Sequence, residues 1–220
     1  YAPFTGMKLP GGGMLTQLVM AALAEQHLQA DLDWLPWKRG YLYASQSRYD
    51  GTFPYVPSPE RAREFLYSEP VYILRQHFFS RSDEALEPEN LGALTGKRLC
   101  YPLGWQPPAI IQALLDQGLI TRHSPPSLSA CAKLLLLQRD DFFVADRLLG
   151  QVALRDSGKP LTAFHTSGSS LPHSSLHFIV ARQHPQAAEL IERFNAGLAA
   201  LQASGKYAQI IEQYSQAPAD

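Results

Sequence analysis

The sequence lacks any excess of charge: across 220 residues, 19 Lys and Arg stand against 20 Asp and Glu. A net charge of -1 leaves no electrostatic footprint for nucleic acid and no polybasic patch for an anionic membrane. Long apolar runs are also lacking. The longest mostly apolar stretch, residues 9–24, contains Gly11, Gly12 and Gly13 and is too short to span a bilayer, so no direct membrane insertion is expected. Cysteine is scarce, with only Cys100 and Cys131. There is no C-x-x-C and no Cys/His cluster, so neither a structural zinc site nor a dithiol redox centre is indicated. Two cysteines suit one bridge in an oxidising compartment or two buried thiols in a reducing one. The chain opens on Tyr1 and not on methionine, as a chain does when a targeting segment is removed or the chain is trimmed.

Catalytic signatures are lacking as well. No G-x-S-x-G elbow is present, and Ser167-Gly168-Ser169-Ser170 reads as linker. The seven histidines include no H-E-x-x-H, and His173 and His177 fall in loop or extended context. Gly11-Gly12-Gly13 precedes a helical pattern but has neither the P-loop lysine nor dinucleotide spacing, so it reads as a turn. Asp140 and Asp141 are neighbours on a strand pattern and point to opposite faces, which makes a poor metal pair. No metal or other cofactor is expected, and no enzyme.

What is present is a globular composition, 45% apolar and 18% charged. A chain of this length buries roughly 70% of its extended surface on folding. Helical spacing is read over 14–26 and after Trp37, and a half-buried strand over Asp31–Leu35. A short strand over 49–53 precedes a helix start, with Ser58 as N-cap and Pro59 at the first helical position. Residues 71–79 read as extended. Strand and helix then alternate: strands over 98–102, 119–123, 142–145, 161–165 and 176–181, and helices over 109–117, 128–138, 148–155, 186–203 and 207–214. Such alternation is the pattern of open, mostly parallel α/β sheets. The polar stretches 80–90 and 167–175 bracket a block of domain size, implying two lobes with the chain crossing between them twice. Ligands in open α/β sheets bind beyond the carboxyl ends of strands, so a cleft between facing lobes is expected.

Arg61 is the most informative charge. It falls three residues after the cap Ser58, where a capping box places Glu or Gln and where the helix dipole disfavours a cation. Either it is solvated and paired with Glu60 or Glu64, or an anion binds at the same place.

Several segments resemble the extracellular solute-binding proteins of the polar amino-acid uptake class, the two-lobed receptors of bacterial ABC importers. Tyr1-Ala2-Pro3-Phe4 is similar to that family's Y-x-P-F, and Tyr49-Asp50-Gly51 to its short x-Asp-Gly. Ser58-Pro59-Glu60-Arg61 followed by Tyr67-Ser68-Glu69-Pro70-Val71-Tyr72 resembles T-P-x-R and F-S-x-P-x-Y. Leu94-Thr95-Gly96-Lys97-Arg98-Leu99 resembles L-x-G-K-x-V, and Gln138 to Asp146 resembles G-R-x-D-A-x-x-x-D. The match runs through nearly the whole chain in order.

The resemblance implies an α/β, two-lobed periplasmic-binding-protein-like fold: two open mixed sheets with flanking helices, joined by two hinge strands. Residues 1–79 and 177–220 would form the first lobe and 80–176 the second. It implies a periplasmic or secreted receptor, a monomer. Its partners would be a small-molecule ligand, an amino acid or relative, and the membrane permease of an ABC importer. The ligand-binding positions carry over to Tyr1 and Trp37 as aromatic walls, Arg61 for a carboxylate, Asp146 for an ammonium, and Trp105 and Gln106 in the turn after the second lobe's first strand. The secreted location implies a Cys100–Cys131 disulfide. Departures are present. Met14-Leu15-Thr16-Gln17 lacks the family's two aspartates, Phe53-Pro54-Tyr55-Val56-Pro57 replaces a hydroxyl-rich loop, and Pro107 and Pro108 remove two backbone donors from the turn. Two further readings share the fold: a ligand-sensing module of a signalling protein, and a cyclohexadienyl-dehydratase-like enzyme using a cleft carboxyl such as Glu69 or Asp141.

Overall fold

The computed structural model describes residues 4–105 and 107–216. Tyr1 and Gln106, two of the expected ligand-binding residues, lie outside them. The first stretch contains α1 (Met14–Glu25), α2 (Trp37–Ser45), β1 (Thr52–Tyr55), α3 (Pro59–Glu64), β2 (Phe65–Tyr67) and β3 (Tyr72–Leu74). The middle holds β4 (Gln76–Arg81), β5 (Arg98–Cys100), α4 (Ala109–Asp116), β6 (Thr121–His123), α5 (Leu128–Leu136), β7 (Phe142–Asp146), α6 (Arg147–Asp156) and β8 (Phe164–Thr166). The chain ends with β9 (Ser174–Ala181), α7 (Ala187–Ala203) and α8 (Lys206–Gln216). The described residues divide into two compact units, 4–74 with Ser174–Gln216, and Arg75–His173.

The first unit is organised on β9. Residues 176–181 are buried without alternation, as in a strand covered on both faces. β1, β2 and β3 each pair antiparallel with it, through Thr52 opposite Ile179, Phe65 opposite Ala181 and Tyr72 opposite Leu176. α1 buries Met14, Leu15, Leu18, Val19, Ala22 and Leu23, its helical apolar stripe, and packs on α7. Gly197 permits that approach, because a Cβ there would collide with the Ala22 carbonyl.

The second unit is a five-stranded sheet of order β6-β5-β7-β4-β8. β5 runs parallel to β6 and β7, whereas β4 is antiparallel to β7 and β8. Its core gathers Phe78, Leu94, Leu99, Ile111, Phe142 and Val144. The Ser127 side chain accepts a hydrogen bond from the Ala130 amide and so caps α5. The Cys100–Cys131 disulfide, with Cα atoms 5.5 Å apart, ties the end of β5 to α5. Of the two redox readings the cysteines allowed, the bridged one is correct.

Each unit contains the same hydrogen-bond bracket. In the first, His177 Nδ1 lies 2.6 Å from the Ser68 carbonyl, the Ser68 amide donates to the Phe178 carbonyl (2.9 Å), and the Phe178 amide donates to Ser68 Oγ (3.1 Å). In the second, His77 Nδ1 lies 2.9 Å from the Ser167 carbonyl, the Ser167 amide donates to the Phe78 carbonyl (2.9 Å), and the Phe78 amide donates to Ser167 Oγ (3.0 Å). All four His and Ser side chains are buried.

Several sequence expectations shift. Asp31–Leu35 forms no strand. The extended run 71–79 is two strands, because the chain changes sheet at Arg75. The helix begun at Ser58 ends after Glu64 and gives way to β2, which was not expected. Residues 161–165 split into a 3-10 turn, Leu161–Ala163, and β8. The first unit's sheet is antiparallel in every described pairing, not mostly parallel. Alternation along the sequence assumes that successive strands are neighbours, whereas β9 arrives from the far end of the chain.

Candidate functional site

In the first unit an aromatic group surrounds Tyr55, the last residue of β1. Trp37 opens α2 directly after Pro36, and its ring meets Tyr55 edge-on with centroids 5.7 Å apart. Tyr41, one turn along α2, lies 5.8 Å from Tyr55 and 5.0 Å from Phe65. Trp37 is 51% exposed, so it is no core residue.

Arg61 reaches this group from α3. Its amide donates to Ser58 Oγ (3.3 Å), the expected cap. Its guanidinium carbon lies 5.3 Å from the centre of the Tyr55 ring, and Nη1 donates to the Val56 carbonyl at 2.8 Å. Glu64 is occupied by the Tyr41 hydroxyl, which donates to it at 2.9 Å. Among the described residues Arg61 forms no ion pair. Arg61 is partly exposed and is not ion-paired with Glu60 or Glu64. A guanidinium carries five N–H donors, and the structure gives its side chain one acceptor.

The neighbouring groups register this cation. Burial, aided by Glu64, pushes the Tyr41 hydroxyl up to about 12, with Arg61 opposing. Burial also raises Tyr55, against a hydrogen bond with Thr52 and the charge of Arg61. Tyr67 is raised by burial, against a backbone hydrogen bond at Ser58 and Arg61. Glu60 is held below its usual range, first by its own backbone amide and then by the Ser58 hydroxyl.

In the second unit, the turn after β5 is stapled by Arg122 of β6. Its Nη2 donates to the carbonyls of Pro102 (2.9 Å), Trp105 (3.0 Å) and Tyr101 (3.4 Å), and Nε donates to Ser124 Oγ at 2.8 Å. Its guanidinium also lies over the Tyr101 ring at 5.4 Å. Burial pushes Tyr101 up to about 12, with Arg122 opposing. Trp105 meets Tyr101 edge-on at 6.1 Å, half-buried against the unit's core.

Asp146 ends β7 and caps α6. Oδ1 accepts from the Leu148 amide at 2.9 Å and Oδ2 from the Arg75 amide at 3.2 Å. Its side chain is buried, so its capping role is a fact of the fold and any contact with a ligand is additional.

Asp140 is buried beside His123, whose Nδ1 is 2.9 Å from Oδ2. Cys100, His123 and Asp140 bring three donor atoms within 4.8 Å of one another. The Cys100 sulfur is engaged in the disulfide, however, so two ligand atoms remain where a zinc site needs at least three from protein.

The structure thus groups Trp37 and Arg61 in the first unit and places Trp105 and Asp146 in the second. Sequence reasoning missed Tyr41, Tyr55 and Arg122. Tyr41 was detectable, since it stands four residues after Trp37 and therefore on the same helix face. Tyr55 lay within a segment read only as a departure from a family pattern. Arg122 carried no signal, because its role depends on β6 lying beside β5.

The family model described as bacterial extracellular solute-binding proteins, family 3, matches residues 2–217. No curated protein matches the sequence. Among solved structures, the second substrate binding domain of a putative amino acid ABC transporter from Streptococcus pneumoniae superposes with a TM-score of 0.77 at 19% identity, covering 97% of this chain and 95% of that one. The second substrate binding domain of Lactococcus lactis GlnP, in its open conformation, gives 0.76 at 22% identity, with coverage of 100% and 93%. The unliganded, open L-cystine solute receptor of Neisseria gonorrhoeae gives 0.75 at 18%, with coverage of 97% and 88%. At these identities the likeness carries the two-lobed fold alone.

Proposed function

Because the chain belongs to family 3 of the bacterial extracellular solute-binding proteins, and so is a solute receptor, we propose that its ligand is an amino acid or a close relative, delivered to the permease of an ABC importer. The observation that carries this reading is the half-buried Arg61, which has one side-chain acceptor and no ion pair among the described residues, beside a wall of Trp37, Tyr41 and Tyr55. A zwitterion needs a cation and an anion to replace lost water at its two ends. Arg61 takes the carboxylate, Asp146 the ammonium, and Trp37 and Trp105 give apolar contact, with Tyr1 and Gln106 completing the set. One neighbour belongs to a putative amino acid ABC transporter and another is named an L-cystine solute receptor, which supports this substrate class. The receptor acts as a monomer in the periplasm or outside the cell and releases its ligand unchanged. No observation favours catalysis. Glu69 is exposed, and the Asp141 carboxylate accepts a hydrogen bond from the Arg98 amide at 2.6 Å.

A thermal-shift screen against the standard amino acids and cystine finds the ligand, since a compound at about 100 times its Kd adds about 2.7 kcal/mol. Calorimetry on the hit then tests the roles. Removing one partner of a desolvated, hydrogen-bonded charge pair costs about 2–5 kcal/mol, so Arg61→Ala weakens binding roughly 30- to 5,000-fold. Asp146→Asn, which keeps one oxygen as an acceptor for the cap, weakens an ammonium ligand in the same range. Wild-type affinity in Arg61→Ala means that no ligand carboxylate sits there, and the amino-acid reading falls.

A further inference from the structure

The second unit carries a polar cluster outside the residues assigned to the ligand. Cys100 ends β5 and His123 ends β6, and the two stand opposite each other in the parallel ladder, so their side chains share one face of the sheet. Asp140 precedes β7, the strand on the other side of β5. Its carboxylate is buried, with Oδ2 2.9 Å from His123 Nδ1. Oδ1 is equally shut off from solvent and accepts no hydrogen bond from a described residue. Arg98 Nε stands 4.0 Å from it, beyond hydrogen-bonding distance. A buried carboxylate oxygen without a donor is costly and calls for another partner.

With the bridge closed, the cluster offers a metal two ligand atoms. Opening the bridge changes that. Cys100 Sγ, a His123 nitrogen and an Asp140 oxygen already lie within 4.8 Å of one another, and Cys131 Sγ is held beside Cys100 as its bridge partner. Two thiolates, an imidazole and a carboxylate are all zinc ligands. In a tetrahedron such ligands stand about 3.3–3.8 Å apart, so Cys100, His123 and Asp140 reach one ion by shifts of about an ångström. The charges agree, since two thiolates and a carboxylate leave one negative charge on a zinc site, beside the Arg98 guanidinium. His123 is half exposed and gives the ion a way in.

We propose that the second unit binds one zinc ion when the Cys100–Cys131 bridge is open, through both sulfurs, His123 and Asp140, so that bridge and metal exclude one another. A chain whose cysteines are not yet oxidised has the site directly. From the bridged chain a dithiol produces it: the dithiol gives two electrons and two protons to the bridge, becomes a disulfide itself, and leaves thiols on Cys100 and Cys131. Zinc then displaces both thiol protons to solvent. This stands whether or not Arg61 binds a carboxylate.

The test uses the 220-residue chain without a histidine tag. One portion is reduced with a phosphine, which becomes the phosphine oxide by taking oxygen from water, and is freed of reagent under argon. Zinc chloride and cobalt chloride are titrated against a chromophoric chelator into the bridged and reduced chains, with circular dichroism to follow folding. The expected result is one ion per reduced chain, bound about 100-fold or more tighter than by the bridged chain. Cobalt should show thiolate-to-metal charge transfer and the d–d bands of a tetrahedral site. In the reduced chain His123→Gln and Asp140→Asn, each first shown to fold in its bridged form, should weaken zinc about tenfold or more. The proposal is overturned if bridged and reduced chains bind zinc equally, if cobalt shows no thiolate charge transfer, or if either variant keeps the affinity of the reduced wild type. Should the reduced chain unfold, zinc must restore its circular dichroism, and failure to do so overturns the proposal as well.

Discussion

Ser68 brackets His177-Phe178 in the first unit as Ser167 brackets His77-Phe78 in the second, bond for bond. Around these matching details the two units are built differently. The second comes from one continuous stretch, holds a mixed five-stranded sheet and is cross-linked by Cys100–Cys131. The first is assembled from both ends of the chain, is antiparallel in its described pairings, has no disulfide, and hangs three strands on β9. The difference separates two ways of holding a sheet together. One relies on a covalent tie within a local segment, the other on distant pieces meeting at a single strand.

The largest expected effect breaks that contrast. Replacing both cysteines with alanine removes about 3–4 kcal/mol from the second unit by the loop-entropy argument, for a sequence separation of 31. Site-resolved hydrogen exchange under mild denaturant should locate the loss in β4–β8 and leave β9 unchanged. Equal losses in both units would mean that they unfold as one.

Next come the brackets. Ser68→Ala and Ser167→Ala each leave a buried phenylalanine amide without its acceptor, at a cost of about 1–3 kcal/mol. Denaturant titrations should give similar losses for the two variants if the bracket does the same job in both units. A loss confined to one would show that the matching geometry hides unequal roles.

The smallest effect sharpens the comparison at a single imidazole. Burial holds His177 below its ordinary 6.5, against the pull of the Ser68 carbonyl and Glu69. The unfolded chain therefore takes up a proton that the folded one resists, and stability falls as pH drops below about 6.5. The loss levels off once pH is below the folded value. His177→Gln should flatten this part of the stability–pH curve for the first unit, as followed by urea midpoints between pH 5 and 7.5.

How much of this was legible in the sequence depends on where each element finds its partner. The start of α3 was legible because Ser58 and Pro59 encode it locally, and β7 because Phe142, Phe143, Val144 and Ala145 form an unbroken apolar run. Helix limits fell within a few residues for the same local reason. Residues 31–35 carry a strand code without a described partner strand, and pattern alone cannot show which edges are paired. The break at Arg75 was invisible because extended residues look alike whichever sheet they join. At the site, Arg61 stood out because its charge is misplaced for a helix start, and Asp146 because it ends a buried strand. Arg122, which holds the Tyr101–Trp105 turn by three carbonyls, was hidden because its meaning lies in a neighbouring strand.

β9 has a consequence for the order of folding. Thr52, Phe65 and Tyr72 find their partners only in residues 176–181, so nothing made before that point can complete the first sheet. Contacts so distant in sequence form slowly, because the intervening chain must first be gathered in. The second unit is complete in sequence by His173 and closes on itself. A chain made from its N-terminus therefore holds every strand of the second sheet before it holds β9, and α1 has no α7 to cover its apolar face until the last residues are made.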